Sequence, residues 1–343
     1  MAPSVDDSSN PQMGYAEFIT SGGWVDHAIV PWPFRTNIKN VGQGFLHRIP
    51  YCFVDKRSYE NLEEQKCLLK QGIKLWSDVI GAPGRDTGHS LAFRQPESPT
   101  DYCCKNYRYG LEYEPLDEDN DLQCDWNDKY PKDALAIHWA DEVKAGGFAA
   151  KAFIGYLEEG RSTSRIAGRH YMHITDYADA ATVAHELGHV LGLVHEHQRW
   201  DRDDFIEFRC HNLYGMQHTV DAMMADTAAM GRPVTEAEAW DMLCNSEQTA
   251  YYYGAPTAAL IKGAGLDVHG QPALDGPGDL DLDSIMMYPS YFGAIPPYEP
   301  ESSVTLDTAV MVKIKKDENG NKIPLSGEDW RIPRGGDCIP QRR

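Results

Sequence analysis

Apolar positions along this chain fall into two periods, and the periods alternate. Arg48-Ile-Pro-Tyr-Cys-Phe-Val54 is a β-branched and aromatic run that predicts a first strand. Ser58 then stands as a helix cap, with Glu60, Glu63 and Glu64 near the positive end of the helix it opens. Leu62, Leu69, Ile73, Trp76 and Ile80 recur at steps of 7, 4, 3 and 4, one helical face that Gly81 and Pro83 terminate. His89–Phe93, Ala134–His138, Ala152–Tyr156 and Arg169–Ile174 read as further strands. A second helix begins near Asp179 and turns Val183, Ala184, Leu187 and Leu191 inward. Strands and helices thus alternate up to residue 195, an α/β N-terminal half.

Beyond residue 195 the pattern changes. Thr219–Met230 and Glu236–Cys244 favour helix, the second with Thr235 and Glu238 in capping-box spacing. Val304–Ile314 predicts a strand, and Asp317-Glu-Asn-Gly-Asn321 a hairpin turn after it. Residues 1–44, rich in proline and glycine with little period, form an N-terminal extension or pro-segment remnant. One domain is expected over 45–335, with insertions at about 95–132 and 211–278, and a tail at 336–343. No internal repeat is visible.

Composition narrows the partners. Asp and Glu outnumber Lys and Arg by 52 to 32, a net charge of −20, which repels nucleic acid and anionic membrane. No apolar run is long enough to span a bilayer, and Met1–Thr20 lacks the basic and apolar regions of a signal peptide. The eight cysteines are spread without a CxxC pair, so disulfides in an oxidising compartment are the reading, against eight reduced thiols. Cys103 or Cys104 pairing with Cys124 would staple the first insertion. Asp117, Asp119 and Asp121 alternate there as in a calcium loop. Leu122 and Asp128 stand where an EF-hand needs glycine and glutamate, so a solvated acidic loop is preferred to calcium.

The chemistry is concentrated in His185-Glu-Leu-Gly-His-Val-Leu-Gly-Leu-Val-His195. Positions i and i+4 share a helix face, so His185 and His189 can present two imidazoles to one metal ion. Gly192 can stop the helix and bring His195 back as a third ligand. Three protein ligands leave one tetrahedral position open, as a catalytic zinc requires, and Glu186 lies close enough to act on a metal-bound water. Two ordinary surface histidines would explain HExxH alone, but not the extended motif with Gly192 and His195.

In this extended form the chain resembles the metzincin clan of zinc endopeptidases. His195-Glu-His-Gln-Arg-Trp-Asp-Arg-Asp-Asp-Phe-Ile206 is similar to the astacin family's HExxRxDRDxxV continuation, and Ser284-Ile-Met-Met-Tyr288 to its SIMHY Met-turn. Weaker similarity extends to Arg48–Val54, Gly168–Ile174 and Leu325–Ile332. The resemblance implies an α+β fold: a twisted mixed sheet with two long helices in the N-terminal half, and an irregular C-terminal half after the third histidine. It implies that His185, His189 and His195 ligate one catalytic Zn2+, that Glu186 is the general base, and that Tyr288 coordinates the resting zinc and then stabilises the oxyanion. Met286 would support the site from beneath and Glu196 would play a structural part. Tyr171, Met172, His173 and Ile174 would form the cleft edge on which an extended polypeptide pairs. A secreted, monomeric endopeptidase follows, with a catalytically retired peptide-binding module that keeps a structural zinc as the alternative.

The sequence departs from the family in places. Met287 replaces the usual histidine, and Asp176–Thr182 lacks the family's cysteine, so its standard disulfides cannot both be carried over. His173 and His197 lie near the site but read as core-satisfied or solvated, and Asp26 reads as a loop acid in preference to a zinc-blocking switch.

Overall fold

A computed structural model describes residues 32–33, 47–54, 59–84, 86–94, 102–107, 124–139, 149–156, 167–263, 280–294 and 307–325. The expected acidic calcium-like loop, Asp26, residues 326–332 and the C-terminal tail fall outside these residues. Within them the class is α+β, and the chain divides at Val194/His195 into two compact units.

The first unit is built on β1 (His47–Phe53), α1 (Tyr59–Ile80), β2 (Leu91–Arg94), β3 (Cys104–Tyr107), β4 (Cys124–Trp126), β5 (Leu135–Trp139), β6 (Ala150–Ala152), β7 (Tyr171–Ile174) and α2 (Ala180–Val190). Five strands form one mixed sheet in the order β2-β1-β5-β7-β6. All neighbours are parallel except β6, which runs antiparallel to β7 with Lys151 opposite His173. The fully buried β5 pattern fits a central strand covered on both faces. One face meets α1 and α2, where Ile49, Leu69, Leu135, Met172, Val183 and Leu187 share a core. Cys52, Cys103, Tyr130 and Ala136 pack in a separate cluster, with Cys52 and Cys103 joined as a disulfide. That bond removes Cys103 from the two partners expected for Cys124, and the first insertion contains the β3–β4 strand pair.

α1 and α2 approach closely because small residues face each other. A Cβ on Gly72 would come within 2.8 Å of Val183 Cγ1. Trp76 donates its indole N–H to the Ala184 carbonyl at 2.8 Å. Helix α2 therefore lies braced along its length.

The second unit contains β8 (Ile206–Phe208), α3 (Met216–Ala225), α4 (Thr227–Met230), α5 (Glu236–Asn245), α6 (Glu247–Tyr252), β9 (Met311–Lys316) and β10 (Lys322–Pro324). The three strands form an antiparallel sheet in the order β10-β9-β8. The expected capping box is present, with Thr235 and Glu238 bonding each other's backbone N–H. The Cys210–Cys244 disulfide closes the helical insertion, whose Met216, Val220, Leu243 and Leu260 pack with Ile206 and Val310. Asp317 N–H donates to Asn321 O at 2.9 Å, forming the expected hairpin turn.

Candidate metal centre

Strand β7 delivers the chain to α2 through a turn held by polar side chains. Thr175 Oγ1 donates to Ala149 O, and Asp179 caps the helix by accepting from Thr182 N–H at 2.8 Å. All of α2 except Thr182 is buried, including His185, Glu186 and His189. A helix with three buried polar side chains costs stability unless each finds a partner. That cost marks the site.

The His185 and His189 rings stand 4.8 Å apart and nearly perpendicular, as i and i+4 positions permit. Gly192, at φ 98°, turns the chain after α2 in a conformation that favours glycine. Leu193 O, just past that turn, accepts from His189 Nδ1 at 2.9 Å. A carbonyl can only accept, so Nδ1 carries the proton and Nε2 keeps its lone pair for a metal. The same holds for His195, whose Nδ1 lies 3.2 Å from Gln198 Oε1. The donor atoms of His185, His189 and His195 lie within 4.8 Å of one another, and all three residues are buried. Three converging imidazole nitrogens in a buried setting suit a borderline-soft divalent ion such as zinc.

Glu186 fits the same group. Burial pushes its carboxyl up from 4.5 to about 8, against the downward pull of the Ala152 backbone N–H it accepts from and of the Lys151 charge. Its other oxygen, Oε2, is buried with no hydrogen-bond partner among the described residues. A divalent cation nearby would favour the carboxylate again.

After His195 the segment is fastened by ion pairs and backbone bonds. Glu196 N–H donates to Met286 O at 2.9 Å, and Glu196 Oε1 accepts from Arg199 and from Asp281 N–H. Arg199 also forks onto Asp201 at 2.9 and 2.7 Å, and these bonds raise its already high pKa. Buried Arg202 donates to His197 O and Leu260 O and pairs with Asp203. The Asp-Arg-Asp run is thus a structural clasp. Tyr288 packs its ring 4.3 Å from His195 and 4.5 Å from His197, with Phe292 behind it. Met287 is buried in the second unit's core.

One expectation fails on topology. β7, which holds Tyr171, Met172, His173 and Ile174, pairs with β5 on one side and β6 on the other, so it has no edge to offer a peptide. On that side of the sheet the edge strand among the described residues is β6. Ala149 O and Phe153 N–H bond towards β7, so by antiparallel alternation the backbone groups of Ala150 and Ala152 face outward. Sequence reasoning assigned neither residue a role. His173 is core-satisfied instead: its Nδ1 lies 3.2 Å from that of His138, and burial first, then His138 and Lys151, hold its pKa well below the ordinary value. His197 is buried too, with Nε2 bonded to Ala259 O at 3.0 Å. Gln198 was also missed; nothing in its local pattern distinguishes it.

Comparison with known proteins agrees with the placement of the motif. Residues 164–230 match the family model Astacin, which describes a peptidase family. The zinc metalloproteinase nas-7 of Caenorhabditis elegans is 54% identical over 33 residues, which is 10% of this chain and 9% of that protein. Among solved structures, the chain aligns with high choriolytic enzyme 1, a hatching enzyme zinc-protease from Oryzias latipes (medaka fish), at 14% identity and TM-score 0.37, covering 83% and 85% of the two chains. It aligns with myroilysin at 15% identity and TM-score 0.30, covering 73% and 82%. The chain therefore carries the astacin peptidase pattern over residues 164–230, the stretch in which α2 and the three converging histidines lie.

Proposed function

We propose that the protein is a zinc-dependent endopeptidase that hydrolyses peptide bonds in extended polypeptides outside the cell. One observation carries the reading: three imidazole donors converge beside a buried glutamate with one oxygen unpartnered among the described residues. Zinc, held by His185, His189 and His195, would supply Lewis-acid polarisation of the scissile carbonyl and of the attacking water.

The chain's own residues divide the remaining work. Glu186, anchored through one oxygen by Ala152 N–H, uses the other to take a proton from the attacking water and return it to the leaving amine. A buried carboxylate held at one oxygen, with the other free among the described residues, is placed for both transfers. Tyr288 donates its hydroxyl to the developing oxyanion, and the placement of its ring against that of His195 supports that role. A substrate strand pairs with the outward backbone groups of Ala150 and the Ala152 carbonyl on β6, Ala152 being the residue whose N–H holds Glu186. Met286 and Glu196 keep the segment after His195 in place through the bond between their backbones. The disulfides suit a secreted enzyme.

The test is cleavage of casein by the full chain with and without a zinc chelator, alongside metal analysis. One zinc per chain, chelator-sensitive cleavage and recovery on adding zinc are expected. Peptide binding without turnover in the zinc-loaded protein would replace this reading with the retired binding module.

A further inference from the structure

A helix that must hold metal ligands at its end has to satisfy its last carbonyls, which find no partner within the helix. In α2 the chain's own turn serves the first three. Leu187 O accepts from Leu191 N–H at 3.0 Å, Gly188 O from Leu193 N–H at 3.0 Å, and His189 O from Gly192 N–H at 2.8 Å. His189 O accepts a second bond from Gly155 N–H, just beyond β6. The last carbonyl, Val190 O, is served from 158 residues away: Trp32 donates its indole N–H to it at 2.7 Å.

The seat of Trp32 is built for it. The indole is 2% exposed and belongs to the same core as Val183, Leu187 and Val190. Its ring centre lies 5.1 Å from that of Tyr156 and 4.8 Å from that of His170. Those two rings stack on each other, and Asp133 holds both: its carboxylate accepts from Tyr156 and its carbonyl bonds His170. A buried tryptophan whose N–H is used and whose ring fills a braced slot is an anchor, not a surface contact.

We propose that Trp32 is a positioning residue of the metal centre. It fixes the last turn of α2 and the Gly192 turn, whose Leu193 carbonyl orients His189 and whose continuation delivers His195. Trp32 is then part of the catalytic domain, so residue 45 is not where that domain starts. A cleavage between Trp32 and β1 would weaken the enzyme, the opposite of activation by loss of a pro-segment. The inference rests on the zinc peptidase reading only for its consequence in catalysis; the anchoring itself does not.

The experiment measures zinc retention by chelator competition in the full chain, with thermal melting as a second readout. Trp32→Phe keeps an aromatic ring in the slot but removes the donor. Trp76→Phe is the structural control, because it removes an indole bond to Ala184 in the body of the same helix. Trp32→Phe is expected to lose zinc about tenfold more readily, the low end for a group supporting a metal ligand, while Trp76→Phe lowers melting but stays within about twofold in zinc retention. Zinc retention within about twofold of the unaltered chain in both Trp32→Phe and Trp32→Ala would overturn the proposal. Hydrogen exchange of the Trp32 indole in the unaltered protein stands independently of folding in the variants. Strong protection is expected, and exchange at the rate of a free indole would overturn the anchor. An unaltered chain that binds no zinc while its indole is protected would instead contradict the peptidase reading.

Discussion

Helices α2 and α5 are of nearly equal length, 11 and 10 residues, yet they are held by opposite means. In α5 only Ala239 and Leu243 are buried, and its start is secured locally by the Thr235–Glu238 box with Arg232 paired to Glu238. In α2 every residue but Thr182 is buried, three of them polar, and its support comes from Asp179, Trp76, Gly155 and Trp32. A helix stabilised locally can be recognised from its own ten residues. One that carries chemistry must bury polar groups, and its support comes from distant parts of the chain.

The largest break in this comparison is at the metal ligands. His189→Ala should abolish both zinc retention and cleavage, and its chain should still fold around the sheet, measured by metal content and circular dichroism. Removal of the equally helical Asp241 in α5 should leave both unchanged. Next comes Tyr288→Phe, which keeps the ring against His195 but removes the hydroxyl; kcat should fall roughly 100-fold with KM little changed, the size of effect of losing one oxyanion donor. An equal loss appearing in KM alone would move Tyr288 from the reaction to substrate binding.

Core loss follows in size. Leu187→Ala in α2 should cost about 2–5 kcal/mol in urea unfolding, since the side chain is fully buried between α1 and the sheet. The smallest effect belongs to α5. Glu238 is held down to about 2 from 4.5, first by Arg232 and then by the Thr235 backbone and side chain. A depressed carboxyl contributes stability that is complete above pH 4.5 and is lost as pH falls from 4.5 through 2. The small melting difference between the unaltered chain and Glu238→Gln should therefore be constant near neutrality and vanish towards pH 2. A difference that persists there would show that the box is held by packing and not by charge.

What was legible in the sequence follows the same division. The register of α2, its Asp179 cap, the ligand spacing and the capping box of α5 all rest on residues within a turn or two of each other, and each was readable. The cleft edge was misassigned because a strand's edge or interior position depends on sheet order. Nothing within Tyr171–Ile174 records that β6 pairs beside it. The roles of Trp32 and Gln198 were invisible for a related reason. Trp32 acts across 158 residues, and Gln198 gains its meaning only when Ala259 O fixes its amide against His195. The Asp201–Asp203 run was visible as a family marker, while its job as a clasp between Arg199, Arg202 and Lys262 needed the fold.

The proposed mechanism turns on Glu186 performing the proton transfers beside a zinc held by three histidines. The most direct measurement is casein cleavage by Glu186→Ala with zinc content determined on the same sample. One zinc per chain is expected, as in the unaltered protein, with cleavage reduced roughly 100- to 10,000-fold, the range for loss of a general base. Cleavage at the unaltered rate by a zinc-loaded Glu186→Ala chain would contradict it.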